Sequence, residues 1–118
     1  MHLEKQFSFD AAHFLPTVDI NHKCRRLHGH RYDITITLKG DIDPAKKWIM
    51  DFADVKEKVK PIIERLDHQF LNAIPGLENP TAEVISKYIF DQIKQTLPIL
   101  FSVRVNESAT SSCVYFGD

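Results

Sequence analysis

Two stretches in the first forty residues alternate between apolar and polar side chains. Over residues 3–13 the apolar residues share one parity, and the same alternation returns over residues 28–38. A period of two places one set of side chains on each face of a β-strand. The sequence therefore predicts two half-buried strands, joined by a polar loop over residues 16–26 that is rich in turn-forming residues.

The apolar spacing changes to three and four residues in the middle of the chain, which predicts two amphipathic helices. The first apolar stripe consists of Val55, Val59, Ile62, Ile63, Leu66 and Phe70, and the second of Ile85, Tyr88, Ile89, Ile93 and Leu97. Asp51 or Asp54 can cap the first helix, and Pro61 predicts a kink or a break within it. Thr81 is the expected cap of the second helix, which Pro98 should end.

The last part of the chain returns to the alternation of strands. One parity is shared by Ile99, Phe101, Val103, Val105 and Glu107. A turn at residues 108–110 leads to a final strand over residues 113–116, and the apolar residues 48–50 are compatible with a strand extension. The order ββααββ predicts an α+β fold with two helices on one face of an antiparallel sheet. Its open edges favour pairing with other subunits.

Length and charge narrow the class of protein. The 118 residues fit one domain, residues 1–118, and the net charge of -1 provides no basic field for nucleic acid or a membrane surface. No apolar run approaches the roughly 20 residues of a membrane span. The first residues lack the apolar core of a signal peptide, so a cytoplasmic location is expected.

His28 and His30 are the clearest signal of chemistry. They lie two residues apart on the second predicted strand, so both rings point to the same side. That side carries the apolar residues, where an unpaired polar ring costs free energy unless it is bonded. The alternative is two histidines on a polar edge, but convergence on one metal ion is the favoured interpretation.

A third histidine would complete a site of catalytic type, which keeps one position open for water or substrate. His13 ends the first predicted strand in the apolar phase, so its ring can reach the same face. The other histidines fit less well: His22 is in the loop, His2 is near the terminus, and His68 adjoins Asp67. Three neutral imidazoles suit zinc, and other first-row metals remain compatible.

Three further positions can carry chemistry. Cys24 lies in a basic loop with Lys23, Arg25 and Arg26, where positive charge favours the reactive thiolate, whereas Cys113 is expected to be a small core residue. Asp67 and His68 suit acid–base chemistry with groups from elsewhere, since adjacent residues do not face each other on a helix. A solvated helix end is the alternative. Glu107 either accepts paired N–H donors in a pocket or is a solvated strand end.

Five motifs occur together in order along nearly the whole chain. They are Phe9-Asp10-Ala11-Ala12-His13, Cys24-x-x-x-His28-Gly29-His30, Leu66-Asp67-His68, Asn79-Pro80-Thr81-Ala82-Glu83 and Glu107-Ser108-x-Thr110-Ser111. This set resembles the 6-pyruvoyltetrahydropterin synthase superfamily, and most of all its bacterial 6-carboxy-5,6,7,8-tetrahydropterin synthases of queuosine biosynthesis. The three-residue gap between Cys24 and His28 is typical of that branch; the gap in the animal pyruvoyl enzymes is longer. Another branch replaces this cysteine with glutamate.

The resemblance implies the tunnelling fold, in which three subunits close a barrel and two barrels stack into a homohexamer. It assigns zinc to His13, His28 and His30, catalysis to Cys24, Asp67 and His68, and pterin binding to Glu107, in active sites between subunits. The implied substrate is 7,8-dihydroneopterin triphosphate, and the products are 6-carboxytetrahydropterin, acetaldehyde and triphosphate. The alternatives are 6-pyruvoyltetrahydropterin synthase activity and, less favoured, a non-catalytic pterin- or metal-binding module. Basic residues beside Cys24 either meet the triphosphate or form a solvated loop.

Overall fold

The computed structural model describes residues 1–118 and contains six main elements. These are β1 (His2–His13), β2 (His28–Lys39), α1 (Phe52–Glu64), α2 (Ala82–Lys94), β3 (Leu100–Ser108) and β4 (Ser111–Tyr115). The strands form one antiparallel sheet in the order β1-β2-β3-β4. The ββααββ architecture predicted from the sequence is confirmed.

The pairing of β1 with β2 positions the histidines. These strands are paired along their whole length, from His2 opposite Lys39 to His13 opposite His28. Because side chains alternate between faces, this register places the apolar parity of both strands on the same side of the sheet. The two helices cover that side, and 21 residues form the core. Its fully buried members on the sheet include Tyr32, Ile34, Ile36, Val103 and Val105.

The helices begin where the sequence predicts. The Asp51 side chain accepts a hydrogen bond from the Ala53 N–H at 2.9 Å and caps α1. The side chain of Thr81 caps α2 by accepting from the Val84 N–H at 3.2 Å. Such caps satisfy backbone donors that the first helical turn leaves free. Neither helix has the length and apolar character needed to cross a membrane.

Pro61 does not break α1, contrary to one of the two expectations for this position. The helix continues to Glu64, and the Arg65 N–H still reaches the Pro61 carbonyl at 3.3 Å. The proline lies in the last turn, so only the carbonyl four residues earlier loses its helical donor. The apolar stripe, however, ends at the buried Leu66. Phe70 lies beyond the helix with 42% of its surface exposed.

Two strand predictions are wrong in detail. Residues 48–50 form bends rather than a strand and do not belong to the sheet. In β3, a register shift inserts Phe101 between the pairs Thr37–Ser102 and Leu38–Leu100. Such a bulge changes which residues face inward. Leu100 is therefore buried in place of Ile99, and Phe101 stacks on His2 at a centroid distance of 4.5 Å.

Cys113 was expected in the core, but it is only half-buried on β4. Its Sγ atom lies 3.6 Å from the Oγ atom of Ser86, which is fully buried on α2. Because β4 is short and forms an edge of the sheet, its side chains are only partly covered by α2.

Candidate metal centre and active site

Three histidines meet at one end of the paired strands β1 and β2. His13 ends β1 directly opposite His28, which begins β2, and His30 follows on the same face. The possible ligand atoms of the three rings all lie within 4.8 Å of one another. His13 is 1% exposed, whereas the other two are half-buried. The cluster is therefore accessible to solvent through His28 and His30 rather than through His13.

Hydrogen bonds determine which ring nitrogens are free. The Nδ1–H of His13 donates to the Pro80 carbonyl at 2.9 Å, and the Nδ1–H of His28 donates to the Arg26 carbonyl at 2.7 Å. A carbonyl only accepts, so it holds the proton on Nδ1 and leaves Nε2 with a lone pair.

The surroundings of the His13 Nε2 atom indicate whether the cluster suits a cation. This atom is buried and has no hydrogen-bond partner. A buried polar atom without a partner costs free energy, and a metal ion would satisfy it. The residues present therefore fit a metal of the kind that imidazole binds.

The electrostatic surroundings favour neutral rings. Burial lowers the pKa of His13, and the neighbouring His28 and His30 lower it further against the effect of the Pro80 carbonyl. Burial and then His28 likewise lower the pKa of His30, whereas the negative charge of Glu107 acts in the opposite direction. Metal ligation requires unprotonated imidazole, so a lowered pKa reduces competition from protons.

Asp67 and His68 contact each other, although helix geometry alone predicts that adjacent side chains diverge. They lie in the turn after α1, and His68 has a φ of 59°, in the left-handed region. This conformation is uncommon for a residue other than glycine and is enriched at functional positions. The Nδ1 atom of His68 lies 2.9 Å from an Asp67 carboxylate oxygen. The rule that neighbours diverge applies to a helix, and these two residues are outside it.

The backbone of Asp10 fixes this pair to the edge of β1. Its N–H donates to the carboxylate of Asp67 at 3.0 Å, and its carbonyl accepts from the His68 N–H at 2.6 Å. The hydrogen bond from Asp10, followed by that from His68, lowers the pKa of Asp67. Asp67 therefore stays ionised and orients the His68 ring, whose side chain is 77% exposed.

Cys24 lies in a short 3₁₀ turn, Lys23–Arg25, within the loop between β1 and β2. The backbone of the cysteine holds this turn: its N–H donates to His22 Nδ1 at 3.0 Å, and its carbonyl accepts from Leu15 at 2.8 Å. The thiol is free and half-buried. Of the neighbouring cations, Arg25 donates to the Val18 carbonyl, and the others are exposed.

One open cleft of about 590 Å³ is lined by some of the candidate site residues. His68 and His30 line it, together with the exposed ion pair of Arg31 and Asp10. Cys24 is not among its lining residues. A single chain thus brings the three histidines together and joins Asp67 to His68, but the thiol is outside the cleft that contains His68.

Glu107 lies in β3 where the register shifts between Asn106 and Ser108. Its side chain is half-buried. Burial raises the pKa of Tyr32 and the negative charge of Glu107 raises it further, whereas at His30 that charge only opposes the lowering of the pKa by burial. The carboxylate therefore acts on the face that carries the histidine cluster, as the parity of β3 predicts.

Sequence reasoning missed three contributors to this region. The Pro80 carbonyl and the Asp10 backbone act through main-chain atoms, which leave no trace in residue type. Tyr32 has the apolar parity of β2, and its buried hydroxyl without a hydrogen-bond partner is the third contributor. The signal in the sequence is a hydroxyl-bearing residue that follows His30 by two positions and shares its parity with Ile34 and Ile36.

Comparison with known proteins identifies the family. The sequence profile described as 6-pyruvoyl tetrahydropterin synthase matches residues 2–118. The chain is 40% identical over 118 residues to a 6-carboxy-5,6,7,8-tetrahydropterin synthase of Synechocystis sp., covering 95% of this chain and 90% of the relative. It is 31% identical over 132 residues to the Homo sapiens 6-pyruvoyl tetrahydrobiopterin synthase, covering 98% and 91%.

A solved structure gives the same result. The Caenorhabditis elegans 6-pyruvoyl tetrahydropterin synthase has a TM-score of 0.92 and 25% identity to this chain, over 100% of this chain and 96% of that one. Motifs, fold and sequence similarity all agree: this chain belongs to the 6-pyruvoyl tetrahydropterin synthase family.

Proposed function

We propose that this protein is a zinc-dependent 6-carboxy-5,6,7,8-tetrahydropterin synthase. It would take part in the biosynthesis of queuosine, which is a tRNA modification. It would convert 7,8-dihydroneopterin triphosphate and one water molecule to 6-carboxytetrahydropterin, acetaldehyde and triphosphate. The observation that carries the proposal is the three-histidine cluster with Cys24 four residues before His28. The 40% identical Synechocystis relative, which bears this enzyme's name, supports it.

Zinc would be held by His13, His28 and His30. Three protein ligands leave a coordination position open, whereas a structural zinc site normally has four. When bound there, zinc would supply Lewis-acid polarisation of the oxygens on the substrate side chain. The hydrogen bonds from His13 and His28 to backbone carbonyls support this role, because they orient the rings before any metal arrives.

The remaining groups would move protons. Cys24, as thiolate, would take a proton from the substrate side chain. His68 would deliver or accept protons during rearrangement and carbon–carbon cleavage. Asp67 holds the Nδ1 side of His68, so the exchanging nitrogen would be Nε2. Lys23 and Arg26 are exposed near the thiol and would meet the triphosphate.

Assembly would complete the site. We infer a homohexamer with active sites between subunits, since Cys24 lies outside the cleft of its own chain's His68. The outer edge of β4 has no partner strand within the chain, which supports strand pairing with a second copy.

A subunit-mixing experiment tests this arrangement. Cys24→Ala and His68→Ala proteins should each be at least about a hundredfold less active than wild type, but co-expressed with two different tags they should form mixed oligomers with restored activity. In those oligomers, sites between subunits can combine an intact Cys24 with an intact His68. Mixed oligomers that form but remain inactive would show that both groups must come from one chain. Light scattering on the unmixed protein should give six subunits.

Glu107 would anchor the pterin ring. A pterin presents an exocyclic amine beside a ring N–H, and an ionised carboxylate accepts both through directional, charge-assisted hydrogen bonds. The position of Glu107 on the face of the histidine cluster supports this role, because the substrate side chain would then lie toward the metal.

We expect Glu107→Gln to bind 7,8-dihydroneopterin much more weakly while its zinc content stays unchanged. The substitution turns one acceptor into a donor that faces a donor, and leaving a buried group unpaired costs about 1–3 kcal/mol. That cost corresponds to roughly a tenfold to hundredfold loss of affinity. Calorimetric titration measures it. Unchanged affinity, or loss of zinc together with binding, would remove Glu107 as the ring anchor.

The main rival is 6-pyruvoyltetrahydropterin synthase activity, which the 31% identical human relative supports. A module that only binds pterin or metal is a second rival, and the oriented Asp67–His68 pair argues against it. Release of triphosphate from 7,8-dihydroneopterin triphosphate by the purified zinc protein tests for turnover. A binding module would bind the substrate and release nothing.

A further inference from the structure

Tyr32 carries a buried hydroxyl that nothing in the chain satisfies. The residue lies on β2, two positions after His30, and is 0% exposed. Its ring stacks on Phe9 at a centroid distance of 5.0 Å, but its hydroxyl has no hydrogen-bond partner. Burying a hydroxyl without a partner costs free energy that phenylalanine would not incur in the same space. Packing alone therefore does not explain a tyrosine here.

The surroundings of Tyr32 point to the candidate site. Its ring contacts two of the three clustered histidines edge-on, with centroid distances of 5.8 Å to His13 and 5.6 Å to His30. The ring of Tyr32 therefore packs directly against the histidine cluster.

Tyr32 and Glu107 are also neighbours across two strands. Asp33 pairs with Asn106, so the next residues along β2 and β3 are Tyr32 and Glu107. Side chains opposite each other on one face of an antiparallel pair are within reach. A tyrosine hydroxyl carries its proton at neutral pH, so it can donate a hydrogen bond to an acceptor. The carboxylate that this register places opposite Tyr32 is that of Glu107.

We propose that Tyr32 is a positioning residue of the pterin site, whose hydroxyl donates a hydrogen bond to the Glu107 carboxylate when the ring is bound. This inference rests on the proposed function of Glu107. A carboxylate has about four acceptor directions, and two N–H groups of a pterin use only two of them. The hydroxyl of Tyr32 takes a third and holds the carboxylate in the orientation that receives the ring.

Four proteins test the proposal: wild type, Tyr32→Phe, Glu107→Gln and the double variant. The probe is 7,8-dihydroneopterin, titrated by calorimetry, and each protein is also measured for zinc content and melting temperature. Tyr32→Phe should keep its zinc and melt at or above the wild-type temperature, because it loses only an unpaired hydroxyl. Its affinity for the pterin should fall about tenfold, since a hydrogen bond to a charged group is lost.

Coupling between the two residues is the specific signature. In the Glu107→Gln background, Tyr32→Phe should change pterin affinity little, because the charged carboxylate that its hydroxyl orients has been replaced by a neutral amide. Tyr88→Phe is the matched control: it removes a half-buried hydroxyl on α2, and its affinity should equal that of wild type.

Two results would overturn the proposal. One is unchanged affinity in Tyr32→Phe, which together with a lower melting temperature would indicate a merely structural hydroxyl. The other is additive losses in the double variant. If Glu107→Gln itself binds pterin like wild type, the proposed ring anchor is wrong. That outcome differs from a failure confined to Tyr32, where Glu107→Gln still weakens binding.

Discussion

Replacement of His13 by alanine is expected to reduce the zinc content from about one ion per chain to almost none, and to abolish turnover. His13 is the most buried of the three clustered histidines, and its Nε2 atom has no protein partner. Its Nδ1 atom is held by the Pro80 carbonyl, so the ring is already aimed before the metal binds. Disturbing only an outer partner of a ligand costs about tenfold to a hundredfold in metal affinity, and removing the ligand should cost more.

Metal analysis of the purified protein after dialysis measures this effect. His22→Ala is the matched control, because His22 is an exposed loop histidine whose ring accepts from the Cys24 N–H. It should keep its zinc. Full zinc occupancy in His13→Ala, together with loss in His22→Ala, would show that the third ligand has been assigned to the wrong residue.

Cys24→Ala should lower turnover by about 10²–10⁴-fold, the usual contribution of a positioned proton-transfer group. The fold and the zinc content should not change. The turn around Cys24 is held by backbone hydrogen bonds to His22 and Leu15, and alanine retains both. The thiol is half-buried and makes no contribution to the buried core.

Steady-state assays with zinc-loaded protein measure this loss. Cys113→Ala removes a second half-buried thiol, which contacts Ser86 on α2, and its activity should match that of wild type. Near-normal turnover in Cys24→Ala would exclude the cysteine from the mechanism, whatever the metal content.

The histidine cluster could be predicted because it depends on parity and register alone. Once β1 and β2 are strands with one buried face, His13, His28 and His30 must share that face. The full-length pairing then brings His13 opposite His28. Their grouping therefore follows from a simple period of two.

Other features could not be predicted because they depend on where the chain turns. The contact between Asp67 and His68 requires a left-handed φ at His68 just after α1 ends. The bulge at Phe101 changes which residues face inward at the start of β3. The alternation of apolar and polar residues does not reveal the position of a bulge. The Pro80 carbonyl reaches His13 from 67 residues away, and only tertiary structure brings the two together.

Product analysis is the most direct test of the central claim. The zinc-loaded protein is incubated with 7,8-dihydroneopterin triphosphate, the pterins are separated by chromatography, and acetaldehyde is assayed in the same sample. We expect 6-carboxytetrahydropterin and acetaldehyde in equal amounts, and Cys24→Ala should form both at least about a hundredfold more slowly. A 6-pyruvoyl product without acetaldehyde, or no conversion by fully zinc-loaded protein, would contradict the assignment as a carboxytetrahydropterin synthase.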